Sequence, residues 1–133
     1  YGKMLKDAIW DCISGFCGVE TGVRLMLNEV NKGRMSLNHY VKLVTENPAK
    51  VWQVYPRKGA LRVGSDGDVT IVDMNKEDTI DVNKLHSKNN PSPWHGWETK
   101  GMPVMTIVRG QVQMRDGEPV GKPIGRMVVP TPD

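Results

Sequence analysis

Histidines, cysteines and closely spaced aspartates are the residues of this sequence that could do chemistry by themselves. His39, His86 and His95 could hold a metal or move a proton near neutral pH. A zinc site, however, needs three or four ligands at close quarters. None of the three histidines stands in a His-x-His pair. His39 falls in a helical pattern beside Tyr40, and His86 and His95 fall in a stretch rich in Asn, Pro and Gly, so each reads as a surface or capping residue. Cys12 and Cys17 flank Ser14-Gly15 but form no C-x-x-C, and there is no second cysteine pair to complete a metal site. They read as reduced, partly buried thiols. Asp66 and Asp68, in Gly64-Ser65-Asp66-Gly67-Asp68, resemble a calcium loop only superficially, because no acidic ligand follows at the right distance. They read as turn residues. Lys3, Lys6 and Arg24 are available as anion binders, but the pattern favours solvated charge. Ser92-Pro93-Trp94-His95-Gly96-Trp97 carries large aromatic surface and reads as a packing or subunit contact.

The bulk numbers narrow the function classes. The chain has 133 residues, 38% hydrophobic and 25% charged, with a formal net charge of +3. That is one domain's length and an ordinary globular composition. Lys and Arg are scattered, so no nucleic-acid partner is expected, and pairs such as Arg57-Lys58 read as turn residues. No apolar run reaches the ~20 residues of a membrane helix, and no signal-peptide pattern is present, so a cytoplasmic location with no membrane partner is expected. The first residue is Tyr1 rather than Met, which raises the expectation of a piece of a longer protein.

The elements that must position these residues follow from periodicity. Lys3 to Trp10 predicts a turn or two of helix, and Asp11 to Gly18 a loop. Val23, Met26, Leu27 and Val30 recur at helical spacing within residues 19–31, and Asn31-Lys32-Gly33 supplies a stop. Ser36 caps a second helix whose apolar stripe is Leu37, Tyr40, Val41 and Val44. Asn47-Pro48 predicts the start of a short third helix, ended by Tyr55-Pro56-Arg57-Lys58-Gly59. After Gly59 the period changes to that of strands: residues 60–63, a β-rich run from Val69 to Met74, and residues 79–82. Residues 83–102 read as irregular. Strands at 104–109 and 111–115 follow, separated at Gly110, then an Asp116-Gly117 turn and an extended tail. Helices followed by strands indicate α+β, or parts of two domains in one chain. The helical stripes need a partner surface that so few strands do not offer.

A set of short motifs, in order along nearly the whole chain, resembles the cyclic amidohydrolases of hydantoinase, dihydropyrimidinase, allantoinase and dihydroorotase type. Gly18-Val19-Glu20-Thr21 is similar to the segment after their last barrel strand. Thr45-Glu46-Asn47-Pro48-Ala49-Lys50 and Tyr55-Pro56-Arg57-Lys58-Gly59 resemble stretches of hydantoinases and dihydropyrimidinases. Val63-Gly64-Ser65-Asp66-Gly67-Asp68-Val69 resembles a further signature, with Gly67 where Ala is usual. Val108-Arg109-Gly110, Asp116-Gly117, Val120-Gly121-Lys122-Pro123 and Gly125-Arg126 complete the set. Ser14-Gly15-Phe16-Cys17-Gly18 sits nearer the corresponding loop of dihydroorotases, with Cys17 in place of Pro.

The resemblance implies an α/β fold: residues 1–57 as the final loop and helices of a TIM-type (β/α) barrel, and residues 58–133 as the C-terminal part of a small β-sandwich with its tail. It implies hydrolysis of a C–N bond in a small cyclic amide or ureide by a divalent metal, usually zinc, whose ligands are expected upstream of residue 1. No catalytic or metal-binding residue is assigned in this chain. Ser14, Gly15 and Phe16 match the loop whose backbone holds the amide edge of the ring, and are the candidate substrate-binding residues. The implied partners are the substrate, the rest of the same polypeptide, and further copies in a homo-oligomer. The family also includes non-catalytic adaptors of the collapsin-response type, which keep the fold without the metal ligands. Residues upstream of Tyr1 would separate the two readings.

Overall fold

The computed structural model describes residues 15–88 and 92–130. Three helices come first, α1 (Val19–Asn31), α2 (Leu37–Val44) and α3 (Glu46–Val51), followed by four strands, β1 (Val69–Thr79), β2 (Glu98–Val108), β3 (Gln111–Arg115) and β4 (Glu118–Pro119). The strands form one antiparallel sheet in sequence order. Two-residue turns at Arg109-Gly110 and Asp116-Gly117 join β2 to β3 and β3 to β4, with positive φ at all four residues. That geometry matches the twist of hairpin strands.

The helix boundaries have local causes. Ser36 caps α2, its hydroxyl accepting the His39 amide hydrogen at 3.2 Å. The third helix begins one residue before the expected Asn47 cap. Thr45 is its N-cap, and its hydroxyl donates back to Val41 O at 2.7 Å, which ties α3 to the end of α2. Pro48 therefore sits inside the first turn, where a missing amide hydrogen leaves no helical bond unmade.

The apolar stripe predicted for α1 is only partly the buried one. Leu27 is fully buried, but Arg24, Asn28 and Thr21 share the inward face, while Val23, Met26 and Val30 are half-buried. The face that meets β2 is thus largely polar. The Asn28 side chain accepts the Lys100 amide hydrogen at 3.1 Å, and Asn31 Nδ2 donates to Met74 O and Lys100 O at 3.0 and 2.9 Å. Gly101, at φ +99°, makes this close approach possible, since a Cβ there would lie 2.8 Å from Leu27 Cβ. Helix α1 therefore finds part of its partner surface on the sheet, which so few strands were not expected to offer. Helix α2 conforms better to that expectation: Tyr40 is buried, whereas Leu37, Val41 and Val44 are exposed.

Three strand expectations need correction. Residues 60–63 are not a strand, and Leu61 and Val63 are exposed. The run from Val69 continues as one bulged strand to Thr79, with register shifts at Ile71/Val72 and Asp73/Glu77, and a short 3-10 turn at Val82–Lys84 follows where a strand was predicted. β2 begins at Glu98, inside the stretch read as irregular. The Pro and Gly content there concealed a strand whose N-terminal half is paired with Glu77, Asp78 and Thr79.

Candidate functional site

Of the three candidate substrate-binding residues, Ser14 lies outside the described residues. Gly15 and Phe16 are exposed and lead directly into α1, for which Gly18 is the N-cap without a side-chain cap bond. Gly15 takes φ +85°, and a Cβ there would meet open space, so the glycine serves the backbone path rather than a tight fit. Among the described residues no backbone hydrogen bond engages Gly15 or Phe16. Cys17 is half-buried, and Cys12 lies outside the described residues.

The other end of this loop is fixed from the sheet side. Glu20, in the first turn of α1, accepts the His86 amide hydrogen at Oε2 (2.9 Å), and its Oε1 lies 2.9 Å from His86 Nδ1. Glu118 on β4 approaches the opposite ring nitrogen at 3.6 Å. The hydrogen bond and charge of Glu20, helped by Glu118, raise the His86 pKa above its ordinary 6.5. Trp94 packs against Gly18, where a Cβ would sit 3.7 Å from the indole. Glu20 is thus the anchor of a long-range contact. Arg24 is likewise no solvated charge. It is buried, and Nε and Nη2 donate to Thr99 Oγ1 at 3.1 and 3.0 Å while Nη2 reaches Asp78 at 3.4 Å. Burial outweighs the Asp78 charge and lowers the guanidinium pKa from its ordinary value.

The remaining candidate residues gather into structural contacts. Among the described residues no group of three or more His, Cys, Asp or Glu could hold a metal. His39 is exposed on α2, and His95 Nδ1 accepts the Val82 amide hydrogen at 3.3 Å. A divalent metal does not fit these residues. Asp66 and Asp68 are turn residues with a further role, since both bind Lys58 Nζ, Asp66 at 3.0 Å. Asp68 also accepts the Arg109 amide hydrogen at 2.8 Å, Asp66 pairs with Arg57 at 3.2 Å, and Ser65 Oγ donates to Pro56 O at 2.7 Å. The segment after α3 is thereby clasped to the start of β1 and to the β2–β3 turn. The Lys58 hydrogen bond holds the Asp66 carboxyl below the usual range. For Asp68, burial pushes the pKa up but is outweighed by Lys58 and the Arg109 amide.

The clasp joins two of the motifs that suggested a family, and comparison with known proteins bears on the same question. Residues 8–113 match the family model described as Amidohydrolase family. The chain belongs to the amidohydrolase family. It is 43% identical over 114 residues to an L-hydantoinase of Paenarthrobacter aurescens, covering 85% of this chain and 25% of that protein. It is 40% identical over 116 residues to a dihydroorotase of Pyrococcus horikoshii, covering 87% of this chain and 27% of that one. Among solved structures, the L-hydantoinase (dihydropyrimidinase) from Arthrobacter aurescens superposes with a TM-score of 0.81 at 40% identity, over 86% of this chain and 26% of that one. The chain spans about a quarter of the length of these relatives. Within this amidohydrolase segment, the spacing of Glu20, Trp94 and His86 carries no motif signal. Glu20 and His86 are 66 positions apart, and only folding shows that they meet.

Proposed function

We propose that the chain is the C-terminal share of a metal-dependent hydrolase that opens the C–N bond of a small cyclic amide or ureide, of the hydantoin, dihydropyrimidine, allantoin or dihydroorotate class. Residues 1–57 complete the end of its TIM-type barrel, and residues 58–133 enter its β-sandwich. The hydantoinase and dihydroorotase relatives support the substrate class. The observation that carries the assignment of a site is the exposure of Gly15 and Phe16 just ahead of α1. Adjacent N–H and C=O groups on an exposed loop suit the donor–acceptor edge of a ring amide, and a glycine at left-handed φ lets the main chain turn toward the ring without a side chain in the way. Ser14 belongs to the same loop. In this reading the zinc ligands come from other segments of the polypeptide, and the enzyme is a cytoplasmic homo-oligomer. The described residues bind and orient the ring rather than activate water.

The test uses the complete, metal-loaded protein with hydantoin, dihydrouracil, allantoin and dihydroorotate. One of these rings should open, and a chelator should abolish the turnover. A Gly15→Val variant should raise KM for the same ring. A correctly folded, metal-loaded protein that opens none of them would overturn the reading in favour of a non-catalytic interaction protein of the same fold.

A further inference from the structure

The connection between β1 and β2 reaches the candidate substrate loop at two separate points. Its base is closed by main-chain bonds, with the Ile80 amide donating to Trp97 O at 2.9 Å and the Gly96 amide to Ile80 O at 2.8 Å. Ile80 is fully buried at that closure. Asp81 accepts the Asn83 amide hydrogen at 3.0 Å, and His95 accepts that of Val82, which stiffens the stem. From this base His86 extends to Glu20 and Trp94 to Gly18. The loop at Gly15–Cys17 has no backbone hydrogen bonds among the described residues. Both contacts from the β1–β2 connection fall where this loop enters α1.

We propose that the β1–β2 connection is the positioning element of the substrate loop, with Glu20, His86 and Trp94 as positioning residues. The proposal rests on the reading of Gly15 and Phe16 as substrate contacts. Glu20 is suited to the task because its two carboxylate oxygens bind two groups of one residue, the amide and the ring of His86, and so fix both distance and orientation. Trp94 supplies a flat wall beside Gly18, within ordinary contact distance of that backbone. If the loop binds the ring equally in the ground and transition states, loosening it raises KM and leaves kcat nearly unchanged. A contact that merely holds the fold together would lower the amount of active enzyme and leave KM alone.

The experiment compares Glu20→Ala, Glu20→Gln, Trp94→Ala and Trp94→Phe with wild type in the complete enzyme. Loss of a charged, two-point contact should raise KM about tenfold in Glu20→Ala. Glu20→Gln, which keeps an acceptor for the His86 amide, and Trp94→Phe, which keeps an aromatic wall, should recover much of that loss. Amide hydrogen exchange at His86, whose amide donates to Glu20, and at Gly22, whose amide donates to Gly18 O, should accelerate in the alanine variant of the residue that braces each and be restored in the conservative ones. Unchanged exchange there, or a fall in kcat at constant KM, overturns the proposal. If an alanine variant does not fold, the conservative one decides by the same two readouts. An inactive wild type would instead defeat the hydrolase reading, while exchange would still report whether the connection positions the loop.

Discussion

Arg24 of α1 and Thr99 at the start of β2 meet through two hydrogen bonds to one hydroxyl, in a contact where both residues are buried. Thr99 passes its own hydrogen to Asp78 O at 3.1 Å, so guanidinium, hydroxyl and β1 backbone form one chain of donors and acceptors. Apart from the Arg24–Asp78 pair, the remaining hydrogen bonds between α1 and the sheet among the described residues run from side chain to main chain, through Asn28 and Asn31. The helix is seated by polar bonds around a single buried leucine, Leu27.

Replacing Arg24 by Ala should therefore cost more than loss of a surface charge. The Thr99 hydroxyl would lose both donors in a site closed to water, and the packed arginine stem would be gone. A buried acceptor left unpaired costs about 1–3 kcal/mol, so the complete protein should lose stability in that range. Urea unfolding of wild type and Arg24→Ala measures it. A change within about 0.5 kcal/mol, the range of ordinary surface substitutions, would show that the contact is not needed to seat α1.

Much of the helical half was legible in the sequence because local chemistry decides it: Ser36 caps, Asn31-Lys32-Gly33 stops, and the 3.6 period at Val23, Leu27 and Val30 marks α1. Which face of α1 turns inward was not legible. Periodicity assigns apolar residues to the core, whereas here Arg24, Asn28 and Asn31 find partners on the sheet edge and displace Val23 and Val30 from it. The strand at 98–103 was missed because Gly101 and Pro103 weaken β-propensity. Gly101 is needed there for the approach of Leu27, a tertiary demand with no local signature. The Gly15–Phe16 loop was visible through family resemblance, but its bracing by His86 and Trp94 depends on pairs far apart in sequence. Lys58 with Asp66 and Asp68 lay in two recognisable motifs, yet their mutual contact appears only once the chain folds.

The Lys58 clasp should make stability sensitive to acid. Asp66 and Asp68 have pKa values below their ordinary 3.8, with Lys58 hydrogen bonding the main lowering influence. Depressed carboxylates add stability that is present above the unfolded value and is lost as pH falls through the folded values. Lys58 is raised above its ordinary 10.5 because the two carboxylates outweigh its burial, so the clasp is intact throughout the neutral range and weakens at the alkaline end only as pH rises beyond 10.5. Lys58→Met should flatten the loss of stability below about pH 4. Thermal unfolding of the complete protein across the acid range checks this. A Lys58→Met curve parallel to wild type would contradict it.

His86 should titrate above the ordinary 6.5, because Glu20 favours the protonated ring and Glu118 adds to the effect. For a raised histidine, the stabilising contribution is complete below 6.5 and is lost as pH rises through the folded midpoint. The Glu20–His86 contact should therefore be tightest in mildly acidic solution and loosen as pH rises through the folded midpoint, above 6.5. NMR titration of the His86 ring gives the midpoint directly. Glu20→Gln should move it down toward 6.5 without abolishing the residual pull of Glu118. An unshifted midpoint in wild type would argue that the ring contact is not formed in solution.

The last expectation concerns residues 1–133 expressed alone. The apolar residues buried among the described ones are Leu27, Tyr40, Ala49 and Ile80, a small core for a chain of this length. Against them, Val41, Val44, Trp52 and Leu61 line an open groove of about 540 Å³ and, with Val51 and Val63, leave large apolar surface in water. Burial of such surface stabilises by roughly 25 cal/mol per Å², and a domain's net stability is only about 5–15 kcal/mol, so several exposed Val, Leu and Trp side chains are enough to decide the outcome. The outer edge of β1 adds unpaired backbone groups that favour association. The isolated chain should therefore lack a cooperative thermal transition, sediment as aggregates, and hydrolyse none of the four cyclic amides even with added zinc, while the same segment within the complete protein is stable. Calorimetry and sedimentation velocity on the isolated chain supply the check. A monomer with a sharp transition would show that polar seating of α1 and the Lys58 clasp are sufficient for folding, and zinc-dependent turnover by that monomer would place the metal site within these residues.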